Sequence, residues 1–501
     1  MQKTSNEIQV TSSRADFYAM VEMETRVGDV VVLDSQLATH PSSGKSWLFA
    51  GFDAIFKWNQ EADGDSSSDG DPWKALARFR SRFPGFCCGY LGYDLKNARE
   101  VLQSANNDAV GLPDIWMARP TRIYMLEELD EGGAPKNDGS TESSGDEVKL
   151  ETNHGINAGK TSMVREGADS DQTNSNHGIN AGETSMVREG ADSDQTNSNH
   201  DETHRNSAES QANSNLGFTQ KTTDFNITSL RSSVSRDHYM RMVEKAKAFI
   251  HEGDTYEINI SHQLQGNFEG NPLSLFHTMR QHGPVPFAAY LQIDDLSACC
   301  ASPERFLTKK TKKLISDPIK GTRPRGINSK EDAIIANELR NSVKDQAENL
   351  MIVDLVRNDF SRVCRAGSVN VTQLFDIQRF GTVHQMVSQV EGDLSETVAS
   401  QPEEAIAACF PMGSMTGAPK IRSMKIIDEL ENYKRGLYSG AIGFFTPEGD
   451  FSFNVVIRTA IIRDKKLWYS TGGAITADSD PLSEWNETLV KARALQTEII
   501  S

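Results

Sequence analysis

Two acidic pairs, Asp345/Glu348 and Glu484/Glu487, are spaced i,i+3 in helix-forming runs, so both carboxylates of a pair project from one helical face. Such oxygens suit Mg2+, which takes a few carboxylates and keeps sites for water and an anionic ligand. A solvated acidic face explains either pair equally well by itself. The neighbouring runs Leu350-Met351-Ile352-Val353 and Leu489-Val490 nevertheless require part of each helix to be buried. Lys320, between Ile319 and Gly321, becomes an amine nucleophile only where desolvation or nearby cations depress its pKa; an ordinary lysine is solvent-exposed. Arg458 alternates with apolar neighbours in Asn454-Val-Val-Ile-Arg-Thr459 and faces either water or a buried anion. Gly472-Gly473, after Trp468-Tyr-Ser-Thr471, either brings backbone N–H groups close to a carboxylate or makes a tight turn. Gly413-Ser-Met-Thr-Gly-Ala-Pro-Lys420 opens a helix whose N-terminus is either an anion site or capped by Thr416.

These residues need elements to hold them. Val30–Leu33 and Ser46–Gly51 read as strands, and Phe86–Tyr93 as a glycine-interrupted one, which makes the N-terminal part β-rich. Tyr239, Met242, Val243, Ala246, Phe249 and Ile250 give Arg236–Glu252 helical periodicity, ended by Gly253. Strands are expected near Thr255–Ser261 and Phe287–Ile293, then helices over Lys330–Ser342 and Lys344–Asn358. The last third predicts a helix at Ala418–Leu430, strands at Ser439–Thr446, Ser452–Arg463 and Leu467–Thr471, and a closing helix from Pro481. Adjacent hairpin-like strands favour an α+β arrangement over a doubly wound parallel sheet.

Composition narrows the function. A net charge of -18 and a pI near 5.1 argue against nucleic acid and anionic membrane surfaces, and favour a small-molecule substrate. The six cysteines form two adjacent pairs plus Cys364 and Cys409, without zinc-type spacing, so reduced thiols are expected. The N-terminus lacks a basic, then apolar, leader pattern, and no run of about 18 apolar residues occurs, so a cytoplasmic protein is expected. Residues 127–226 hold 20 acidic against 7 basic residues, so 13 of the 18 net negative charges fall there. This segment carries a tandem copy, His154–Asn176 repeated at His177–Asn199 with Lys160 replaced by Glu183. It lacks the apolar faces that stacked repeats need, and is expected to be a disordered insertion between a part at 1–126 and a catalytic part at 227–501.

Read in order, Ser302-Pro-Glu-Arg-Phe306, Pro318-Ile-Lys-Gly-Thr-Arg-Pro-Arg325, Ala347-Glu-Asn-Leu-Met-Ile-Val-Asp-Leu355, Arg357-Asn-Asp359, Gly417-Ala-Pro-Lys420, Tyr438-Ser-Gly-Ala-Ile-Gly443, Ile457-Arg-Thr459 and Ala477-Asp-Ser479 resemble the chorismate-utilising family. The likeness covers 236–501, and more loosely Leu33-Asp-Ser35 and Gly89-Tyr-Leu-Gly-Tyr93. It implies a large fold of antiparallel sheets packed as a sandwich with helices outside. Glu348 and Glu487 match the family's Mg2+ ligands, with Glu484 and Asp345 in support. Arg458, Tyr438, Gly472 and Gly473 match groups that hold the substrate's carboxylates; Thr416 and His384 match residues lining the pocket, and Lys420 adds charge at its rim. Ala474 departs from the glycine many members carry.

The resemblance also separates the branches. Where anthranilate synthases, which aminate C2 directly, carry alanine, this chain has Lys320. In the aminodeoxychorismate-forming branch that lysine attacks C2 of chorismate as the C4 hydroxyl leaves, and ammonia then attacks C4 and expels the lysine. Glu304 matches the acid that protonates the departing hydroxyl, and must be protonated in the complex. Isochorismate and salicylate synthases use a lysine base in the strand that here reads Tyr256-Glu-Ile-Asn-Ile-Ser261, and no lysine lies between Lys247 and Lys309. A glutamine amidotransferase partner is implied as the ammonia source, since no glutaminase nucleophile motif occurs. Anthranilate synthase component I and a catalytically silent family member are the competing readings; retention of Lys320, Arg458 and both glutamates speaks against the latter. Leu33-Asp-Ser35 partly resembles the Leu-Glu-Ser segment through which tryptophan inhibits anthranilate synthases.

Overall fold

The computed structural model describes residues 8–36, 44–59, 70–100, 102, 104–127, 224–281, 283–495 and 497–500. The tandem repeat and nearly all of the acidic insertion lie outside the described residues. The chain on either side of the insertion packs as one unit.

Nineteen strands among the described residues join one hydrogen-bonded network, antiparallel throughout except where Ile8–Thr11 runs parallel to Ile115–Leu126. N-terminal strands are interleaved with later ones. Val30–Asp34 lies between Ser46–Trp58 and Phe287–Ile293, and Cys87–Leu91 between Ile115–Leu126 and Ala441–Phe445. The α+β expectation holds, with the strands linked as a continuous network. Long strands make the links: Glu257–Gly270 pairs with Phe225–Ser232, with Lys466–Ile475 and, at its start, with Gly417–Ala418.

Helices begin where polar caps satisfy first-turn N–H groups. Ser235 caps Arg236–His251, Ser342 caps Val343–Ser361 by accepting from the Asp345 amide, and Asp480 followed by Pro481 starts Pro481–Ala492. These helices cover the sheet. Ile352, Val353, Val356 and Phe360 pack with Phe306, Leu307 and Phe410 in one core, while Tyr239, Met242 and Val243 pack with Ile258, Ile260 and Trp485 in another. At about 25 cal/mol per Å2 of apolar surface, each such buried side chain contributes roughly 1.5–3 kcal/mol.

Two expectations are corrected here. Ser452–Arg463 is not one strand but two, Phe451–Asn454 and Thr459–Arg463. Between them the backbone bonds leave the ladder: the Val455 amide donates to the Glu304 carbonyl and the Val456 amide to the Gly440 carbonyl, and Arg458 takes φ +50°. Gly472-Gly473 is not a turn after a strand; it lies within Lys466–Ile475, opposite Ser261 and Ile260. A Cβ on Gly472 would come within 2.4 Å of the Ile260 carbonyl oxygen, so only glycine permits this strand approach.

All six cysteines are unbridged and buried. Burial pushes the Cys87 and Cys364 thiols up to about 12 and Cys300 to about 11, so they stay protonated. Among the described residues, no helix is long and apolar enough to cross a membrane.

Candidate active site

The strand Glu257–Gly270 alternates Glu257, Asn259, Ser261 and Gln263 with Ile258, Ile260, His262 and Leu264, and both faces are buried. The polar face is the floor of the site. Its start is drawn tight against the Gly413–Pro419 segment, where Gly417 at φ +143° leaves no room for a Cβ beside the Glu257 carbonyl, 2.2 Å away. Thr255 fixes the same corner by donating to the Ala418 carbonyl at 2.9 Å.

Lys320 sits on Ile319–Pro324, opposite Met386 of Val383–Asp393, just before an irregularity in the pairing at Gly321 (φ +80°). Its ammonium forms a short ion pair with Glu257, and both side chains are nearly buried. Burial opposes the charge on Lys320, but Glu257 more than offsets this and holds the group above lysine's usual range. The second oxygen of Glu257 is buried without a hydrogen-bond partner among the described residues, as is Asn259 Oδ1. The resting amine is thus an ammonium. It must lose a proton before it can attack carbon.

Glu304 occupies the turn between Leu296–Ser302 and Arg305–Lys310. Its amide donates to Ser302 Oγ at 3.2 Å, and its carboxyl accepts from Ser414 Oγ at 2.8 Å. Burial raises its pKa to about 7, against the lowering effects of Ser414, Lys320 and Arg458. A carboxyl poised there is a proton donor at neutral pH. Arg458, placed by the break between two strands, makes no ion pair among the described residues, and burial holds it below arginine's usual value, with Tyr469 and Glu304 acting the other way. A desolvated guanidinium without a carboxylate partner is suited to an anion.

The acidic pairs stand on two helices. Glu348 is half-buried, 3.7 Å from Lys344, and burial raises its pKa against the influence of Lys320. Asp345 is taken up by Arg323 at 2.7 Å. Glu484 accepts from Ser479 Oγ at 2.7 Å and is raised by burial; the more exposed Glu487 pairs with Lys491 at 2.7 Å. Lys344 acts electrostatically on both Glu484 and Glu487, and Lys320 on Glu487, which ties the two helices to one site. Gly473 lies beneath them: a Cβ there would stand 2.9 Å from Glu484 Oε2 and 3.9 Å from Glu487 Oε1. No three Asp, Glu, His or Cys side chains among the described residues form a self-sufficient metal cage. A few carboxylate oxygens over a glycine-lined space still fit Mg2+, which completes its shell with water and ligand oxygens.

Other expected residues fall elsewhere or play local parts. Tyr438 is buried beside Ser261, and Arg435 lies 5.7 Å from its ring. The Thr416 hydroxyl donates to the Met412 and Gly413 carbonyls and closes its own turn; it does not cap the helix, whose N-cap is Pro419. Lys420 donates to Asp359 at 2.6 Å and to the Cys409 carbonyl, and so is engaged within the protein. His384 is fully buried against Asp332 at 2.8 Å, in a group with Arg325, and not among the contacts of Lys320.

Sequence reasoning missed Glu257, Glu431 and Arg435. Arg435 binds Glu431 and also donates to the carbonyls of Met415 and Asn259, while Glu431 accepts from the Ser261 amide and hydroxyl. This buried pair clamps the floor strand to the Gly413–Met415 turn and hence to Ser414. The signal for Glu257 was the period-2 polar row that it begins.

The model of the chorismate binding enzyme family matches residues 29–497. This chain belongs to that family. It is 46% identical over 271 residues to the chloroplastic aminodeoxychorismate synthase of Arabidopsis thaliana, an alignment covering 53% of this chain and 29% of that protein. It is 31% identical over 408 residues to anthranilate synthase component 1 of Cereibacter sphaeroides, covering 81% and 72%. The crystal structure of anthranilate synthase component I from Streptococcus pneumoniae TIGR4 superposes with a TM-score of 0.66 at 23% identity, covering 91% and 93% of the two chains, a likeness of fold. The chain spans less than a third of the length of the curated plant relatives it matches.

Proposed function

We propose that this chain converts chorismate to 4-amino-4-deoxychorismate with ammonia supplied by a glutamine amidotransferase partner, the first step toward para-aminobenzoate and folate. The observation that carries the reading is Lys320, a buried amine flanked by Glu257 and by Glu304, whose carboxyl keeps its proton up to about 7. The names of the relatives at 44–46% identity support it. Lys320 attacks C2 while Glu304 protonates the C4 hydroxyl, which departs as water; ammonia then forms the C4–N bond and the C2–Nζ bond breaks. Occupation of C2 by the lysine is what directs nitrogen to C4. Arg458, with Tyr438 and the Gly472-Gly473 backbone, would hold the substrate's carboxylates. Glu348 and Glu487, supported by Glu484 and Asp345, would hold Mg2+, which supplies charge neutralisation for a substrate carboxylate when bound.

The test is product analysis. With chorismate, Mg2+ and an ammonium salt, 4-amino-4-deoxychorismate is expected without anthranilate fluorescence, and Lys320→Ala is expected to abolish it. Rapid anthranilate formation would instead assign the activity named for the Cereibacter relative.

A further inference from the structure

Resting on the lysine-nucleophile reading, we propose that Glu257 is a catalytic base: it takes a proton from Lys320 as the amine attacks and returns it when the amine leaves. Four observations lead there. Glu257 is 2% exposed, so its charge is not solvated by water. One of its oxygens already holds the Lys320 ammonium, the contact through which a proton would pass. The other oxygen has no donor among the described residues, whereas buried carboxylates in a structural role are ordinarily hydrogen-bonded through both oxygens. Glu304, a further carboxyl that acts on the lysine, is held by Ser414 and carries the acid's task, so two carboxyls about one amine have opposite proton roles.

The protons balance. At rest Lys320 is an ammonium and Glu257 a carboxylate. One proton moves from Nζ to Glu257, the freed pair forms the Nζ–C2 bond, and the C4–O bond breaks with the Glu304 proton, releasing water. Ammonia then forms the C4–N bond, the C2–Nζ bond breaks with its electron pair returning to nitrogen, and Glu257 gives its proton back to the amine. Glu304 is reprotonated from solvent. The charged groups that act on this pair are Glu304 from its turn, Glu348 from the helix Val343–Ser361, and Glu487 from the closing helix.

A bare charge anchor predicts the opposite result from a base. In Glu257→Gln the lysine loses its principal counter-charge but keeps the influence of Glu348 and Glu304, so its ammonium persists at neutral pH with a proton that is easier to lose. An anchor therefore predicts unchanged or faster attack, and a base predicts slower attack. The measurement is the rate at which the full chain, with Mg2+ and chorismate but no ammonia, gains the mass of the chorismate-derived adduct on Lys320, followed from pH 6 to 9. Glu257→Gln is expected to slow adduct formation by roughly 100-fold or more near pH 7, with a rate that climbs with pH, while chorismate affinity stays within a few-fold of wild type. Glu257→Asp, shorter but still a carboxylate, is expected to recover much of the rate and the wild-type pH profile. Adduct formation by Glu257→Gln at the wild-type rate, or failure of Glu257→Asp to improve on it, overturns the assignment. Absence of any adduct in the wild-type chain removes the lysine reading itself, and the base with it.

Discussion

Two buried carboxylates of this protein are treated in opposite ways. Asp34 accepts from Arg14 at 2.8 Å, Tyr18 at 2.6 Å, Ser46 at 3.0 Å and Arg280 at 2.9 Å, so each of its oxygens has two donors. Burial opposes its charge, yet Arg280 and Arg14 bring its pKa below the usual carboxylate range. Glu257 is equally buried, but has one cation on one oxygen and, among the described residues, no donor to the other. Saturation of Asp34 marks a structural joint, between the N-terminal helix and the strand Val30–Asp34. It also leaves the Leu33-Asp-Ser35 segment with no free carboxylate for an amino-acid ammonium. Incomplete pairing beside Lys320 is what the proposed chemistry there requires.

The contrast breaks first at Asp34. Asp34→Asn leaves Arg280 buried with a weakened partner, and is expected to cost about 3–5 kcal/mol, read as a lower urea midpoint at unchanged slope. Activity per folded molecule should survive. Glu304→Gln reverses that pattern: turnover is expected to fall by about 10²–10³-fold, and the wild-type loss of activity above pH 7, where Glu304 ionises, should vanish in the variant. The sign for stability follows from the raised folded pKa. Glu304 stabilises the fold most below its ordinary value of 4.5, and this contribution is lost as pH rises through about 7, so the urea midpoint of wild type relative to Glu304→Gln should fall across that window. Gly473→Ala places a methyl group against Glu484, and Mg2+ affinity by calorimetry is expected to weaken about 10- to 100-fold. Ser414→Ala is the mildest change. Loss of the hydroxyl that stabilises ionised Glu304 should move the alkaline limb of the activity profile upward by about one pH unit.

Legibility in the sequence followed the range of the interactions concerned. The helix Arg236–His251 and the strand Phe287–Ile293 were readable almost to the residue, because local periodicity and caps define them. The family motifs picked out Lys320, Glu304 and both helical acidic pairs. What stood between those residues was not readable. A polar row at every second position of Glu257–Gly270 suggests a strand with one wet face, but the chain covers that face with Gly413–Met415 and the Glu431–Arg435 pair, over 140 residues downstream. Lys420 carried a charge that the motif assigned to the pocket rim; Asp359, on another helix, captures it. Arg458 was read as a strand residue because its neighbours alternate, and only the competing bonds to Glu304 and Gly440 end the strand before it.

The interleaved sheet also decides how this protein can be divided. A piece containing only 224–500 would present two bare strand edges, along Phe287–Ile293 and Ala441–Phe445, where Val30–Asp34 and Cys87–Leu91 now pair. Such edges are templates for aggregation. Residues 8–127 would expose the complementary edges. Co-produced as two polypeptides cut inside the acidic insertion, the halves carry matching registers and should find each other by strand pairing, so that the integrity of the sheet, and not the continuity of the chain, is what the active site requires.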